Sequence, residues 1–159
     1  MLVTHIHKQA DMPTSTRFVV AVHILTALAV SDGKPLRSED LAYSANTGPV
    51  VVRSLLSRLA EAGLTRSQLG AGGGALLARQ AKTIRLLDVY QAVEDTELFP
   101  THRTPPCENC AVGGNILEAL GPPLARARKA LEAELAKTSI ASVAAEVARL
   151  GKFSIPLVW

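Results

Sequence analysis

Two cysteines separated by two residues are the side chains best suited to covalent or metal chemistry in this sequence. Cys107 and Cys110 form the pair, and His102 lies shortly before them. A Cys-x-x-Cys pair can switch between thiols and a disulfide, supply two ligands to a metal ion, or be chemically inert. A zinc site would need His102 or a second chain, because two ligands do not complete it. All three interpretations stay open, and these residues are the candidate sensor of a signal.

An enzyme is the weakest interpretation of this cysteine pair. Thiol oxidoreductases usually carry the motif at the start of a helix within a βαβ unit, and no such pattern precedes Cys107. Two cysteines are also too few for a disulfide scaffold, which indicates a reducing compartment. The sequence therefore predicts a cytoplasmic protein that is not an enzyme.

A second set of polar side chains lies on one face of a helix that is predicted to begin at Pro49. Val52, Leu55, Leu56 and Leu59 follow the i, i+3, i+4, i+7 spacing of one buried face. The opposite face consists of Val50, Arg53, Ser54, Ser57, Arg58 and Glu61. Arginine and hydroxyl side chains donate hydrogen bonds to phosphates and to base edges, so this face is a candidate DNA-contacting surface.

The residues before this helix predict the first part of a helix-turn-helix. Ser38 is predicted to cap a short helix that ends near Ala45, with two acids in the first turn, where the helix dipole favours them. A tight turn at residues 46–48, which includes Thr47, then leads to Pro49, a residue suited to the first position of a helix. Two short helices joined by a tight turn, the second with a basic outer face, are typical of a helix-turn-helix.

An apolar segment at residues 18–30 predicts a buried first helix that is capped by Ser15 or Thr16. The segment is too short to cross a bilayer as a helix. It also resembles the core of an export signal, but His23 and Thr26 interrupt it, which favours the buried helix. No contact with a membrane is expected.

A hairpin is predicted after the helix-turn-helix. Residues 64–69 alternate in polarity, a glycine-rich stretch follows at 70–74, and residues 75–78 are largely apolar again. This pattern indicates two strands with a glycine-rich tip, which in this position form the wing of a winged helix. A phosphate-binding loop is the alternative, but the stretch lacks the Gly-Lys-Ser/Thr ending of such loops.

The second half of the chain is predicted to contain a long helix with an apolar seam. A fourth helix at about residues 86–93 and a loop precede a helical region at about 113–137, which Pro122 and Pro123 are predicted to break or kink. Apolar side chains step by three and four along it, at Leu117, Leu120, Leu124, Ala127, Leu131 and Leu135. Such a seam needs a partner surface, which is either the winged domain of the same chain or a second copy. A second copy is the simpler partner, so the five leucines are the candidate interface of a homodimer.

These elements predict a mainly α fold with a small β-hairpin wing, in which a long C-terminal dimerisation helix follows a winged helix-turn-helix domain. The predicted division is a disordered extension or tag at residues 1–11, the winged domain at 12–98, a loop with the cysteine pair at 99–112, dimerisation helices at 113–150 and a tail at 151–159.

The distribution of charge favours nucleic-acid binding by the N-terminal part. Residues 1–85 carry ten Lys or Arg and five Asp or Glu, whereas residues 86–159 carry seven and nine. Basic surface attracts phosphate, and the expected partner is double-stranded DNA. Aromatic residues make up only 4 % of the chain, which argues against a stacking platform for single strands.

Several short segments in a particular order also carry a resemblance over about residues 12–140. They are residues 16–18 and 21–25 in the first helix, 44–47 and 49–53 around the turn, 62–64 and 72–74 at the hairpin, 86–90 and 92–94 in the fourth helix, and 110–113, 115–116 and 134–138 beyond it. In this order the chain resembles the IscR/NsrR/CymR family of transcription regulators, also called the Rrf2 family, and within it the YwnA-like branch.

The resemblance implies a homodimeric repressor of promoters with near-palindromic sites. The helix that begins at Pro49 would enter the major groove, and the wing would reach toward the minor groove. The DNA contacts that follow are Thr16, Arg17, Ser38, Thr47, Pro49, Val50, Arg53, Ser54, Ser57, Arg58, Arg66, Gln68, Gly72, Gly73 and Gly74. The main alternative is a protein-interaction adaptor, in which the arginine face would merely be solvated.

The cysteines depart from the pattern of the family members that bind an iron–sulfur cluster. Those members carry three cysteines in the loop before the dimerisation helix, whereas this chain has two. Cys110 matches the YwnA-like pattern, and Cys107 is additional. A standard cluster lacks one ligand unless a side chain such as His102 replaces it, so no cofactor is expected. The signal stays open between an oxidant, an electrophile and a small molecule.

Overall fold

The computed structural model describes residues 15–94 and 98–157, so the predicted extension at residues 1–11 lies outside the described residues. In chain order the elements are α1 (Arg17–Val30), α2 (Ser38–Ser44), α3 (Pro49–Glu61), β1 (Thr65–Gln68), β2 (Gly74–Leu77), a 3₁₀ turn (Ala81–Thr83), α4 (Leu86–Val93), α5 (Ile116–Leu135) and α6 (Ile140–Gly151). The predicted fold class, mainly α with a small hairpin wing, is confirmed.

An apolar core joins α1 to the helix-turn-helix, the hairpin and α6. Ile24 and Leu25 of α1 are fully buried in it, which confirms that the apolar segment at residues 18–30 belongs to a buried helix. The core also contains Leu41, Val52, Leu55, Leu59, Leu64, Ala75, Ile84, Val89, Val93 and Ile140. Among the described residues, no helix is both long enough and apolar enough to span a membrane.

The helix-turn-helix forms as predicted, with one correction at the start of α2. Arg37, in an extended conformation, occupies the N-cap position and Ser38 is the first helical residue, so the predicted cap is wrong by one residue. Arg37 pairs with Asp40 one turn later, with 3.0 Å between Nε and Oδ2. This hydrogen bond holds the pKa of Asp40 below its usual value, because it stabilises the ionised carboxylate.

The wing is attached to the helix-turn-helix through backbone hydrogen bonds. Strands β1 and β2 pair antiparallel, and Leu36, just before α2, exchanges two hydrogen bonds of 3.1 and 2.8 Å with Ala75 of β2. The two backbones approach so closely that a Cβ atom on Gly74 would lie 2.5 Å from the Leu36 carbonyl oxygen. Gly74 is therefore needed for the wing to lie beside α2.

The sequence predicts either a break or a kink at Pro122 and Pro123. Helix α5 runs without interruption through both prolines, so the break is wrong and the kink stays a prediction. Each proline lacks an N–H, which leaves the carbonyl groups of Glu118 and Ala119 without their helical donors. Both of these residues are exposed, and water can donate to their carbonyl oxygens instead. A break is unnecessary because this part of the helix is solvated.

Helix α6 packs on α1 of its own chain, although it lies within the segment that the sequence assigns to dimerisation. The Ile140 N–H donates to the Ile84 carbonyl at 2.9 Å, and the Leu86 N–H donates to the Thr138 carbonyl at 3.0 Å. These bonds place the start of α6 beside the start of α4. The side chains that α6 buries are Ile140, Ala144 and Ala148.

Candidate nucleic-acid interface

Helix α3 separates its apolar and polar side chains as its sequence predicts. Pro49 occupies the first turn after the Gly48 N-cap, where the missing proline N–H costs no helical hydrogen bond. Val52, Leu55 and Leu59 are buried, and Leu56 is half-buried. The side chains of Arg53, Ser54 and Ser57 are exposed, as is Val50, which presents 72 % of its surface to solvent. The helix thus exposes hydrogen-bond donors together with the apolar side chains of Val50 and Val51.

The exposed face of α3 and the wing together form an open groove of about 500 Å³. The groove is lined by Ser38, Arg53, Leu56, Ser57, Ala60, Thr65, Arg66, Ser67, Gln68, Gly74 and Ala75. Six of the predicted DNA contacts, which come from α2, α3 and both strands, therefore meet in one concave surface. Guanidinium, hydroxyl and amide groups dominate its polar lining, and these groups hydrogen-bond to phosphates and base edges.

Arg53 is held by an acid from the other helix of the helix-turn-helix. Its Nη1 lies 3.2 Å from Oε1 of Glu39, in the first turn of α2. The helix dipole favours an acid at this position, and no local pattern in the sequence predicts its contact with Arg53. An acid at the start of α2 and an arginine early in α3 are the only signal for it in the sequence, because the pairing depends on the angle between the two helices.

Arg58 lies on the opposite side of α3 from the wing. It lines a second hollow together with Ser54, Ser57, Glu61 and Ala92 of α4. The two predicted arginine contacts of α3 therefore flank the helix, Arg53 toward the wing and Arg58 toward α4.

The predicted contacts at the start of α1 lie around Glu94, a largely buried acid that no motif in the sequence indicates. Glu94 Oε1 accepts hydrogen bonds from the Ser15 hydroxyl at 3.0 Å and from the Phe18 N–H at 3.3 Å. Arg17 places its Nη2 4.0 Å from Oε2 of the same carboxylate, and Thr16 is exposed. Glu94 thus accepts a hydrogen bond from the Phe18 N–H, which has no partner within the helix, and links the start of α1 to the end of α4.

The glycines of the wing tip have clear structural roles. Gly72 has a φ of +73°, a left-handed conformation that favours glycine. A Cβ atom on Gly73 would overlap the Gln68 carbonyl oxygen across the hairpin. These backbone requirements, together with that of Gly74, account for the glycine run without reference to a ligand. The predicted contact at Thr47 lies in the turn, where its N–H donates to the Ala42 carbonyl at 3.0 Å.

The cysteine pair lies in a tight turn just before α5. Both thiols are exposed, and the Cys110 N–H donates to the Cys107 carbonyl at 3.2 Å. Hydrogen bonds from the backbone N–H groups of Gly113 and then Val112 to the Cys110 sulfur lower the pKa of that thiol. The turn thereby favours the thiolate of Cys110, which is the nucleophilic form.

The donor set of the described residues does not fit a metal or an iron–sulfur cluster. Within residues 15–94 and 98–157, no three His, Cys, Asp or Glu side chains are placed to hold a metal ion. His102 is exposed in the preceding loop and does not complete a site with the two cysteines.

The rest of the described chain covers the leucines of helix α5 only in part. None of its residues is fully buried, and Leu117 and Leu120 expose 43 % and 39 % of their surfaces. Leu124, Leu131 and Leu135 are half-buried. A shallow hollow along α5 is lined by Phe99, Leu124, Ala125, Arg128, Lys129 and Glu132.

Comparison with known proteins identifies similar chains. A family model described as Rrf2, iron-dependent transcriptional regulator, matches residues 14–146. The HTH-type transcriptional regulator YwnA of Bacillus subtilis is 38 % identical over 130 residues, which cover 81 % of this chain and 95 % of YwnA. A crystal structure described as that of a DNA-binding protein is 38 % identical in sequence and superposes with a TM-score of 0.64. The match covers 80 % of this chain and 97 % of the chain in that structure. Staphylococcus aureus CymR is 25 % identical in sequence, and its crystal structure superposes with a TM-score of 0.63. The match covers 82 % of this chain and 96 % of the CymR chain.

Proposed function

Because this chain belongs to the Rrf2 family of transcriptional regulators, we propose that it acts in the cytoplasm as a homodimeric repressor bound to near-palindromic operator DNA. The resemblance inferred from its sequence is confirmed, and the chain is a DNA-binding transcription regulator rather than an enzyme. Its operator contacts, its assembly and its signal are the proposed parts.

One observation supports the DNA contacts above all others, namely the groove shared by α3 and the wing. The major groove of DNA is wide enough to admit an α-helix, and α3 presents its donors on the exposed face that such docking requires. Arg66 and Gln68 on β1 extend the same surface toward the neighbouring backbone or minor groove. We assign Arg53, Ser54, Ser57 and Arg58 to the major groove and its flanking phosphates.

Truncation of either α3 arginine is expected to weaken DNA binding and leave the fold intact. Arg53→Ala and Arg58→Ala should each cost about 1–3 kcal/mol if the guanidinium contacts a base, with relaxed specificity at one position. Loss of a phosphate contact would instead reduce the salt dependence of binding. The measurement is an electrophoretic shift at several salt concentrations, on a duplex selected from random DNA by the parent protein.

Arg149→Ala is the matched control, because it removes the same charge from α6, away from the groove. Circular dichroism checks that each variant is folded. Both α3 variants binding as tightly as the parent at every salt concentration would remove α3 from the interface.

The assembly that we propose joins two copies through α5. The exposed leucine stripe has the spacing of a helix pair, and a second copy would cover it by two-fold symmetry. The same symmetry would place the two α3 helices about 34 Å apart, one turn of DNA, which suits a near-palindromic site.

The signal that we propose is an oxidant or electrophile that reacts with Cys110. With a peroxide, the Cys110 thiolate forms an S–O bond, the O–O bond breaks and hydroxide leaves, so that sulfur loses two electrons to the peroxide. Attack by the Cys107 thiol would then expel water and form a disulfide. The turn adjoins α5, so the reaction could change the angle between the two DNA-binding domains.

Mild oxidation is expected to change the operator affinity of the parent but not that of Cys110→Ser. Because a lowered pKa keeps the thiolate present at lower pH, the reaction should persist below the pH at which an ordinary cysteine becomes inert. The measurement is the dissociation constant of the operator before and after peroxide or diamide, repeated across pH. Equal affinity in all samples would leave the cysteines as structural residues and favour a small-molecule signal.

A further inference from the structure

The Glu39–Arg53 ion pair places a negative charge at the edge of a surface that binds a polyanion. The two side chains are 61 % and 54 % exposed, so solvent screens their attraction and the pair contributes little to folding stability. A carboxylate here also repels DNA phosphates. The helix dipole favours an acid in the first turn of α2, but it does not require the acid to contact Arg53. Neither the stability of the pair nor general affinity for DNA explains that contact, which leaves its effect on the geometry of Arg53.

We propose that Glu39 is a positioning residue that orients the Arg53 guanidinium to recognise guanine in the major groove. The proposal rests on the DNA contact proposed above for α3. It adds a residue of α2 to the determinants of base specificity.

The geometry of the pair suits this role because it occupies only one edge of the guanidinium. Arginine offers five N–H donors, and Glu39 accepts from Nη1. The edge formed by Nε and Nη2 makes no hydrogen bond within the described part of the chain. Two parallel N–H donors on one edge match O6 and N7 of guanine, which is the commonest specific contact of arginine with DNA.

The charge of Glu39 also discourages Arg53 from binding a phosphate. An arginine held by a carboxylate would have to leave it in order to bind a phosphate at another position, whereas a guanine contact leaves the pair intact. Removal of the carboxylate charge should therefore have two effects of opposite sign. Affinity for unrelated DNA should rise by a few-fold, and discrimination for guanine should fall by about ten-fold.

The test compares the parent with Glu39→Gln and Glu39→Ala. Each protein first selects duplexes from random DNA. Its affinity is then measured for the parent's preferred duplex, for the same duplex with the guanine pair replaced, and for an unrelated duplex. Glu146→Gln is the control, because it breaks the exposed Arg149–Glu146 pair of α6 at a distance from the groove.

We expect both Glu39 variants to lose discrimination at one G·C pair and to bind unrelated DNA more tightly, while Glu146→Gln behaves as the parent. In an Arg53→Ala background, Glu39→Gln should have no further effect on the discrimination for guanine. If Glu39→Gln lowered discrimination in the Arg53→Ala background as much as in the parent, Glu39 would contact a base itself, and the positioning role would be overturned. Unchanged discrimination in both Glu39 variants would also overturn it. A parent that selects no sequence would instead refute the proposed DNA recognition.

Discussion

Replacing Leu124 and Leu131 together by glutamate is expected to convert the proposed dimer into a monomer. Operator affinity should then fall by about 100-fold or more, because a monomer binds one half-site without the effective concentration that linkage to a second provides. Both leucines lie on the stripe of α5 that the rest of the described chain leaves half-covered. Glutamate at these positions would bring like charges together across a two-fold interface, and a paired helix does not tolerate this.

The control for this experiment uses the opposite side of the same helix. Ala119→Glu combined with Ala133→Glu adds the same charge to α5 at exposed positions away from the stripe. This variant should remain a dimer. Sedimentation velocity at micromolar concentration measures the oligomeric state of the parent, the leucine variant and the alanine variant. A monomeric parent would refute the proposed assembly, and a dimeric leucine variant would place the interface elsewhere.

Ile140→Ala is expected to lower the free energy of unfolding by about 2–5 kcal/mol, the usual cost of emptying a buried aliphatic site. Ile140 is fully buried among residues of the winged domain, at the point where α6 meets the backbone before α4. The prediction therefore tests whether α6 belongs to the core of its own chain. It is also the substitution from which we expect the largest loss of stability.

Val147→Ala on the same helix is the matched control, since 41 % of Val147 is exposed and its truncation leaves little cavity. Urea unfolding at one fixed protein concentration measures both variants, because dimerisation makes stability concentration-dependent. Equal stability of the two variants would show that α6 does not share the core in solution.

The sequence alone predicts the local elements and their faces with success. Helix α3 begins at Pro49 and buries Val52, Leu55 and Leu59 because helical periodicity is a property of neighbouring residues. The hairpin follows from alternation and from glycines at its tip, which are also local signals. The predicted N-cap of α2 is wrong by one residue, since Arg37 rather than Ser38 takes the extended conformation.

The tertiary structure alone decides which distant residues meet. The sequence assigns residues 113–150 to dimerisation, whereas in the structure α6 packs on α1 of its own chain. The sequence shows an acid at position 39 and an arginine at 53, but their contact needs the angle between α2 and α3. Position 74 similarly requires glycine because the Leu36 backbone lies so close to it. Periodicity and turn preferences act over a few residues, whereas these contacts arise from the packing of whole elements around one core.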